Sequence, residues 1–180
     1  MSDRILVSTR KGLFTVEREA QSWRITKADF LGDNVTLAIT DARDGTSYAA
    51  LDHGHFGVKL HRNPGNGWEE IATPAYPEKP EGLEENDMWG RPLPWSTVRI
   101  WALVPGGADQ PGVIWCGTLP GGLFKSSDRG ANWQMVRSLW DHPMRKQWMG
   151  GGADLPGIHS ILVDPRNSRQ ISIAVSTGGV

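Results

Sequence analysis

The chain of 180 residues contains one cysteine, Cys116. A lone thiol excludes an internal disulfide and any metal centre built from several cysteines. Excess charge is also missing: 19 Lys and Arg stand against 20 Asp and Glu, a net charge of -1. That balance gives no electrostatic footprint for nucleic acid or a membrane surface, and neither is expected as a partner. No apolar run approaches the ~20 residues that a membrane span requires. The opening stretch MSDRILVSTRKG has no apolar core ahead of a small-residue cleavage site, so no export signal is visible and a cytoplasmic location is expected. Tyrosine is scarce, with only 2, whereas the chain holds 9 Trp, 22 Gly and 12 Pro.

The tryptophans mark a repeat, which has to be found before elements are assigned. Three segments each contain a β-rich run, a loop ending in Gly, a second β run, a turn and then Trp. The spacing from that Gly to the Trp is 11 residues in all three, from Gly12 to Trp23, Gly57 to Trp68 and Gly122 to Trp133. The third segment reads Ser126-Ser127-Asp128-Arg129-Gly130-Ala131-Asn132-Trp133 and matches the pattern S-x-D-x-G-x-x-W in full. The second, Asn63-Pro64-Gly65-Asn66-Gly67-Trp68, is degenerate, and the first keeps only Gly12-Leu13-Phe14 and Trp23. In such a turn a short Asp caps backbone amides, Gly supplies positive φ, and Trp packs as a wedge between sheets.

With that motif the chain resembles the BNR/Asp-box repeat proteins, among them the sialidase-like β-propellers. The resemblance implies an all-β fold of four-stranded antiparallel blades, with Ser126, Asp128, Gly130 and Trp133 as structural Asp-box residues away from any active site. Strands fall at 5–8, 13–16 and 23–26; at 35–40, 47–51, 58–61 and 68–71; at 98–104, 113–117, 123–126 and 133–136; and at 160–164 and 171–176. A blade at 4–27, a blade at 34–72, a long loop at 73–97, a blade at 98–137, a long loop at 138–158 and the start of a fourth blade at 159–180 follow as one partial domain. The expectation is an incomplete ring of about three and a half blades. It belongs either to the N-terminal portion of a longer propeller or to a short protein that closes by dimerisation. Either way its open blade edges are expected to favour self-association.

Strand alternation sorts the loops. The second-to-third-strand loops and the connections between blades emerge on one face, and that face carries the chemistry. It holds Arg10 and Lys11, then His53 and His55 in Asp52–Phe56, then the two long insertions. Insertions of this length in a compact domain are commonly functional. They contain Trp89, Trp95, Trp140 and Trp148 beside Glu84, Glu85, Asp87, Arg91, Asp141, His142, Arg145 and Asp154. Indoles beside carboxylates and arginines suit a sugar, the ring facing the apolar side and the charges meeting hydroxyls. Equally, long loops bury their own aromatics as plugs.

The substrate-binding candidates are therefore Arg10, Lys11, His53, His55, Trp89, Arg91, Trp95, His142, Trp148 and His159. The last opens an innermost strand. No metal or other cofactor is assigned. The pair His53-x-His55 presents both rings to one ion only if the segment is extended, and Gly54 works against that. Three functions are weighed. The first is a sialidase-like glycoside hydrolase, for which Asp87 and Asp154 are the candidate catalytic carboxylates. The Arg-Ile-Pro motif of sialidases is absent, the comparable segment being Arg4-Ile5-Leu6, and neither Tyr48 nor Tyr76 has a nucleophile's context. The second is a non-catalytic scaffold, since Asp-box proteins include receptor ectodomains and photosystem assembly factors. The third, a metal-dependent enzyme on His53, His55 and His159, is the outsider.

Overall fold

A computed structural model describes residues 3–87 and 89–177. The chain is all-β, with four antiparallel sheets. It divides into two compact units, Met1–Glu70 and Ile71–Val180.

In the first unit β1 (Arg4–Thr9), β2 (Gly12–Glu19) and β3 (Ser22–Asp29) form a three-stranded sheet in that order. A second sheet runs β4 (Val35–Thr40), β5 (Ser47–Asp52), β6 (Val58–Asn63) and β7 (Glu69–Ile71), its last strand crossing the unit boundary. Strand β1 packs on β4. Leu13, Val35, Ala49 and Leu51 are buried there, with Leu6, Phe30 and Trp68 against them. Strand β5 is buried along nearly its whole length because both of its faces are covered, so its sequence, SYAALD, is a run rather than an alternation.

In the second unit β8 (Arg99–Pro105), β9 (Ile114–Leu119), β10 (Leu123–Ser126) and β11 (Gln134–Met135) form a four-stranded sheet. Strands β12 (Ile158–Val163) and β13 (Ile171–Val175) pair with each other, and β12 packs on β8 and β9. The closeness of that packing explains Gly117. A Cβ on it would stand 2.7 Å from both the Cγ2 and the carbonyl oxygen of Ile158. Ile158 is fully buried among Ala102, Val113, Trp115 and Ile161, a burial that contributes about 1.5–3 kcal/mol.

Every strand expected from the sequence is present, with shifted ends. Strands β7 and β11 start one residue after Trp68 and Trp133, and β12 starts at Ile158. The last residues of the expected fourth-blade stretch, 178–180, lie outside the described residues. The 138–158 insertion is more ordered than expected. It begins within α1 (Arg137–Trp140) and contains a 3-10 turn, Pro143–Gln147.

Two turn types recur between the sheets. In the β10–β11 turn, Asp128 Oδ1 accepts from the Asn132 amide at 2.8 Å and Oδ2 from the Asn132 side chain at 2.7 Å. Ser126 Oγ donates to Asp128 Oδ1 and accepts from the Gly130 amide, each at 2.8 Å. Arg129 and Gly130 take φ values of 58° and 84°, the left-handed region that glycine adopts without strain, and Gly130 is buried. In the β6–β7 turn, Asn63 stands five residues before its Trp, as Asp128 does, and its Oδ1 accepts from the Gly65 and Gly67 amides at 2.8 and 3.1 Å. The degenerate copy therefore keeps the clamp with an amide in place of a carboxylate. The β2–β3 turn has no such clamp. Its Trp23 is 45% exposed under the Arg18 guanidinium rather than wedged between sheets, which corrects the expectation for that tryptophan. The second recurring turn joins first and second strands. Asp41 and Asp164 each accept from the backbone and side chain of the arginine two residues on, Arg43 and Arg166.

Candidate functional site

The two long insertions both lie in the second unit, and each builds its own local structure. The first forms a small hairpin. Asn86 bridges Pro92, the Asp87 amide donates to the Arg91 carbonyl, and the Leu93 amide donates to the Glu85 carbonyl, both at 2.8 Å. At its tip Asp87 Oδ1 accepts from the Trp89 and Arg91 amides at 2.8 and 2.9 Å, the Asx geometry expected of a short carboxylate at a turn. In the second, His142 opens the 3-10 turn by accepting the Met144 amide on Nδ1 at 3.2 Å. Accepting there requires the proton to sit on Nε2.

The insertions meet at one buried ion pair. Arg145 donates to Glu85 Oε1 at 2.7 Å, and the two side chains are 9% and 10% exposed. The second Glu85 oxygen accepts from the Trp95 indole at 3.0 Å. Arg145 also donates to the Trp140 carbonyl and stacks 3.9 Å over the Trp140 ring. Trp140 in turn makes edge contacts with Trp95 and Tyr76, at 5.3 and 5.0 Å between centroids. Tyr76 donates to the Pro120 carbonyl and shares a 2.6 Å hydrogen bond with Thr118. Burial pushes its phenol far above the ordinary range, so it stays a neutral hydrogen-bonding group and not a nucleophile. Both charges of the ion pair have further partners, as a buried pair requires, while the buried Trp140 indole Nε1 has no hydrogen-bond partner among the described residues.

A cavity of about 500 Å³ opens beside the knot, walled by residues 84–87 and Leu93 from the first insertion and by residues 145–150, Asp154 and Pro156 from the second. Trp148 lines it. One edge of the Trp148 ring is backed by Gly121, where a Cβ would stand 3.2 Å away. At the rim Arg91 bridges both walls, donating to Asp87 at 2.7 Å and to Asp154 at 3.4 Å. Burial works to raise the Asp87 carboxyl, which is only 3% exposed. Donation from the Arg91 amide, the Arg91 guanidinium and the Trp89 amide outweighs it and holds Asp87 below the usual carboxylate range.

The structure therefore brings together Asp87, Arg91, Trp148 and Asp154 of the residues picked from sequence. It turns Trp95 inward onto Glu85. It leaves Trp89 67% exposed at the hairpin tip, gives His142 to a backbone cap, and leaves His159 exposed on β12 with its ring against Ser160. Arg10, Lys11, His53 and His55 belong to the first unit. Arg10 and Lys11 are exposed in the β1–β2 turn. His53 caps a 3-10 turn over Gly54–Phe56 with its Nε2 3.9 Å from Asp33, and His55 lies against Phe56. Gly54 takes φ 59°, so the His53–His55 segment is not extended. Among the described residues no group of three or more His, Cys, Asp or Glu is placed to hold a metal ion. Cys116 is buried and unpaired, and burial pushes its thiol up and out of the reactive range.

Four site residues escaped the sequence choice: Glu84, Glu85, Arg145 and Lys146 all line the cavity. Their signal is present in the composition of the insertions, which hold opposite charges in both. Sequence spacing does not say which charge meets which across 60 positions. Comparison with protein-family models finds no match, and a search of curated proteins finds none.

Proposed function

We propose that this chain is an Asp-box repeat protein of β-propeller type and that the cavity between its long insertions binds a small polar molecule, a glycan or one of similar size. The cavity carries the reading. Its volume falls within the ~300–1,000 Å³ of small-molecule sites, and it combines one aromatic face with a few fixed polar groups. The repeat reading is supported by the matching clamps of Asn63 and Asp128 and the matching Asp-x-Arg turns. In hydrolysis by two carboxylates, Asp87 does not suit the general-acid role. A general acid has to carry a proton near neutral pH, and Asp87 is held as the anion by its donors.

Calorimetric titration with a panel of mono- and disaccharides tests this, with Trp148→Ala as the control. Binding that Trp148→Ala abolishes, without turnover of chromogenic glycosides, supports it. Turnover lost in Asp87→Asn returns the hydrolase. A protein-binding scaffold is favoured by one observation, the exposed Trp89 at the hairpin tip. That reading gains if Trp89→Ser, and not Trp148→Ala, removes the interaction.

A further inference from the structure

The charges lining the cavity are not all spoken for. Glu85 and Arg145 neutralise each other, and Asp87 is held by Arg91. Asp154 reaches Arg91 only at 3.4 Å and keeps its side chain 77% exposed. Glu84 on one wall and Lys146 on the other have no ion partner among the described residues. The cavity thus offers a ligand two loosely engaged carboxylates and one ammonium. Trp148, Leu93 and Met149 line the same cavity.

Resting on the pocket reading above, we propose that the cavity takes a small molecule carrying both an ammonium and an anionic group, joined by an apolar body. A ligand of that kind meets Glu84 and Asp154 with its cation and Lys146 with its anion. A neutral ligand entering the same space would strip water from these side chains and return only hydroxyl contacts. Glu84 sits on the first insertion, and Lys146 and Asp154 on the second. The cavity's volume of about 500 Å³ leaves room for a body of dipeptide size. The ammonium carries more weight than the anion, because two carboxylates answer it and one lysine answers its counterpart.

The test uses the whole chain and four probes in calorimetric titrations: alanylleucine, its N-acetyl derivative, its C-terminal amide, and maltose. Alanylleucine is expected to bind best, with about a five-fold loss for the amide and a larger one for the acetylated form. Glu84→Gln should reduce the preference for the free amine, and Lys146→Gln should erase the preference for the free carboxylate. Both residues are exposed, so the fold should survive, and thermal unfolding verifies that. Capped peptides that bind as well as alanylleucine overturn the proposal. Maltose binding more tightly than alanylleucine also overturns it while leaving the pocket reading intact. Failure of every probe overturns both.

Discussion

Arg145 reaches across 60 positions of sequence to place a guanidinium nitrogen 2.7 Å from Glu85, and this contact joins the two insertions. Removing one member of a buried pair strands the other. Arg145→Met should therefore lower stability by about 3–5 kcal/mol, read from the urea midpoint. The double variant Arg145→Met with Glu85→Met should recover part of that loss. A single-variant loss below about 1 kcal/mol would mean the pair is solvated.

The Asp128 turn makes a sharper comparison, because Asn63 shows what an amide does in the same place. Asp128→Asn should keep the bond from the Asn132 amide, while Asp128→Ala loses it and costs about 1–2 kcal/mol. Donation from the Asn132 side chain and amide and from Ser126 holds the Asp128 carboxyl below its usual range. A depressed carboxyl stabilises above its unfolded value, about 3.9, and that contribution fades as pH falls through the folded value. The stability gap between wild type and Asp128→Asn should thus be flat above about pH 5 and shrink below about pH 4. Equal losses for Asn and Ala would show that the charge, not the acceptor, matters.

Tyr76 has the opposite sign. Burial raises its phenol above the unfolded value of about 10. The stabilisation is complete below that value and is lost as pH rises, because the unfolded chain gives up the proton first. Tyr76→Phe should cost about 1–3 kcal/mol near neutrality. The difference from wild type should narrow above about pH 10 in guanidinium titrations.

Gly121→Ala should disturb the cavity without reaching it directly. The new methyl meets the Trp148 ring at 3.2 Å, so the ring must give way. Reduced affinity for any cavity ligand, with little change in melting temperature, is the expected result. An unchanged affinity would remove Trp148 from the binding surface.

Among the described residues strands β12 and β13 pair only with each other, and Leu162 is 68% exposed on β12. Open, apolar edges associate. Sedimentation should show concentration-dependent self-association, and Leu162→Lys should suppress it. A monomer at all concentrations would mean these edges are protected.

The strands were legible because the forces that make them are local: β-branched runs, Gly and Asp-Pro turns, and a Trp at constant spacing. Their ends were less so: Trp68 and Trp133 precede their strands, Trp68 packing on a core cluster and Trp133 donating its indole N–H to the Ala72 carbonyl. The site was half legible. Topology put the insertions on one face, and Asp87, Arg91, Trp148 and Asp154 do gather there. Nothing local distinguishes Trp95, which turns inward to Glu85, from Trp89, which points to solvent. That choice is made by Glu85 and Arg145, a partnership with no signature in spacing.

The ion pair and its aromatic packing act as a buckle on a strap. Cleavage of the chain at the Trp89–Gly90 tip would cut the strap outside the buckle. The nicked halves should then travel together on a sizing column under native conditions and separate only in denaturant.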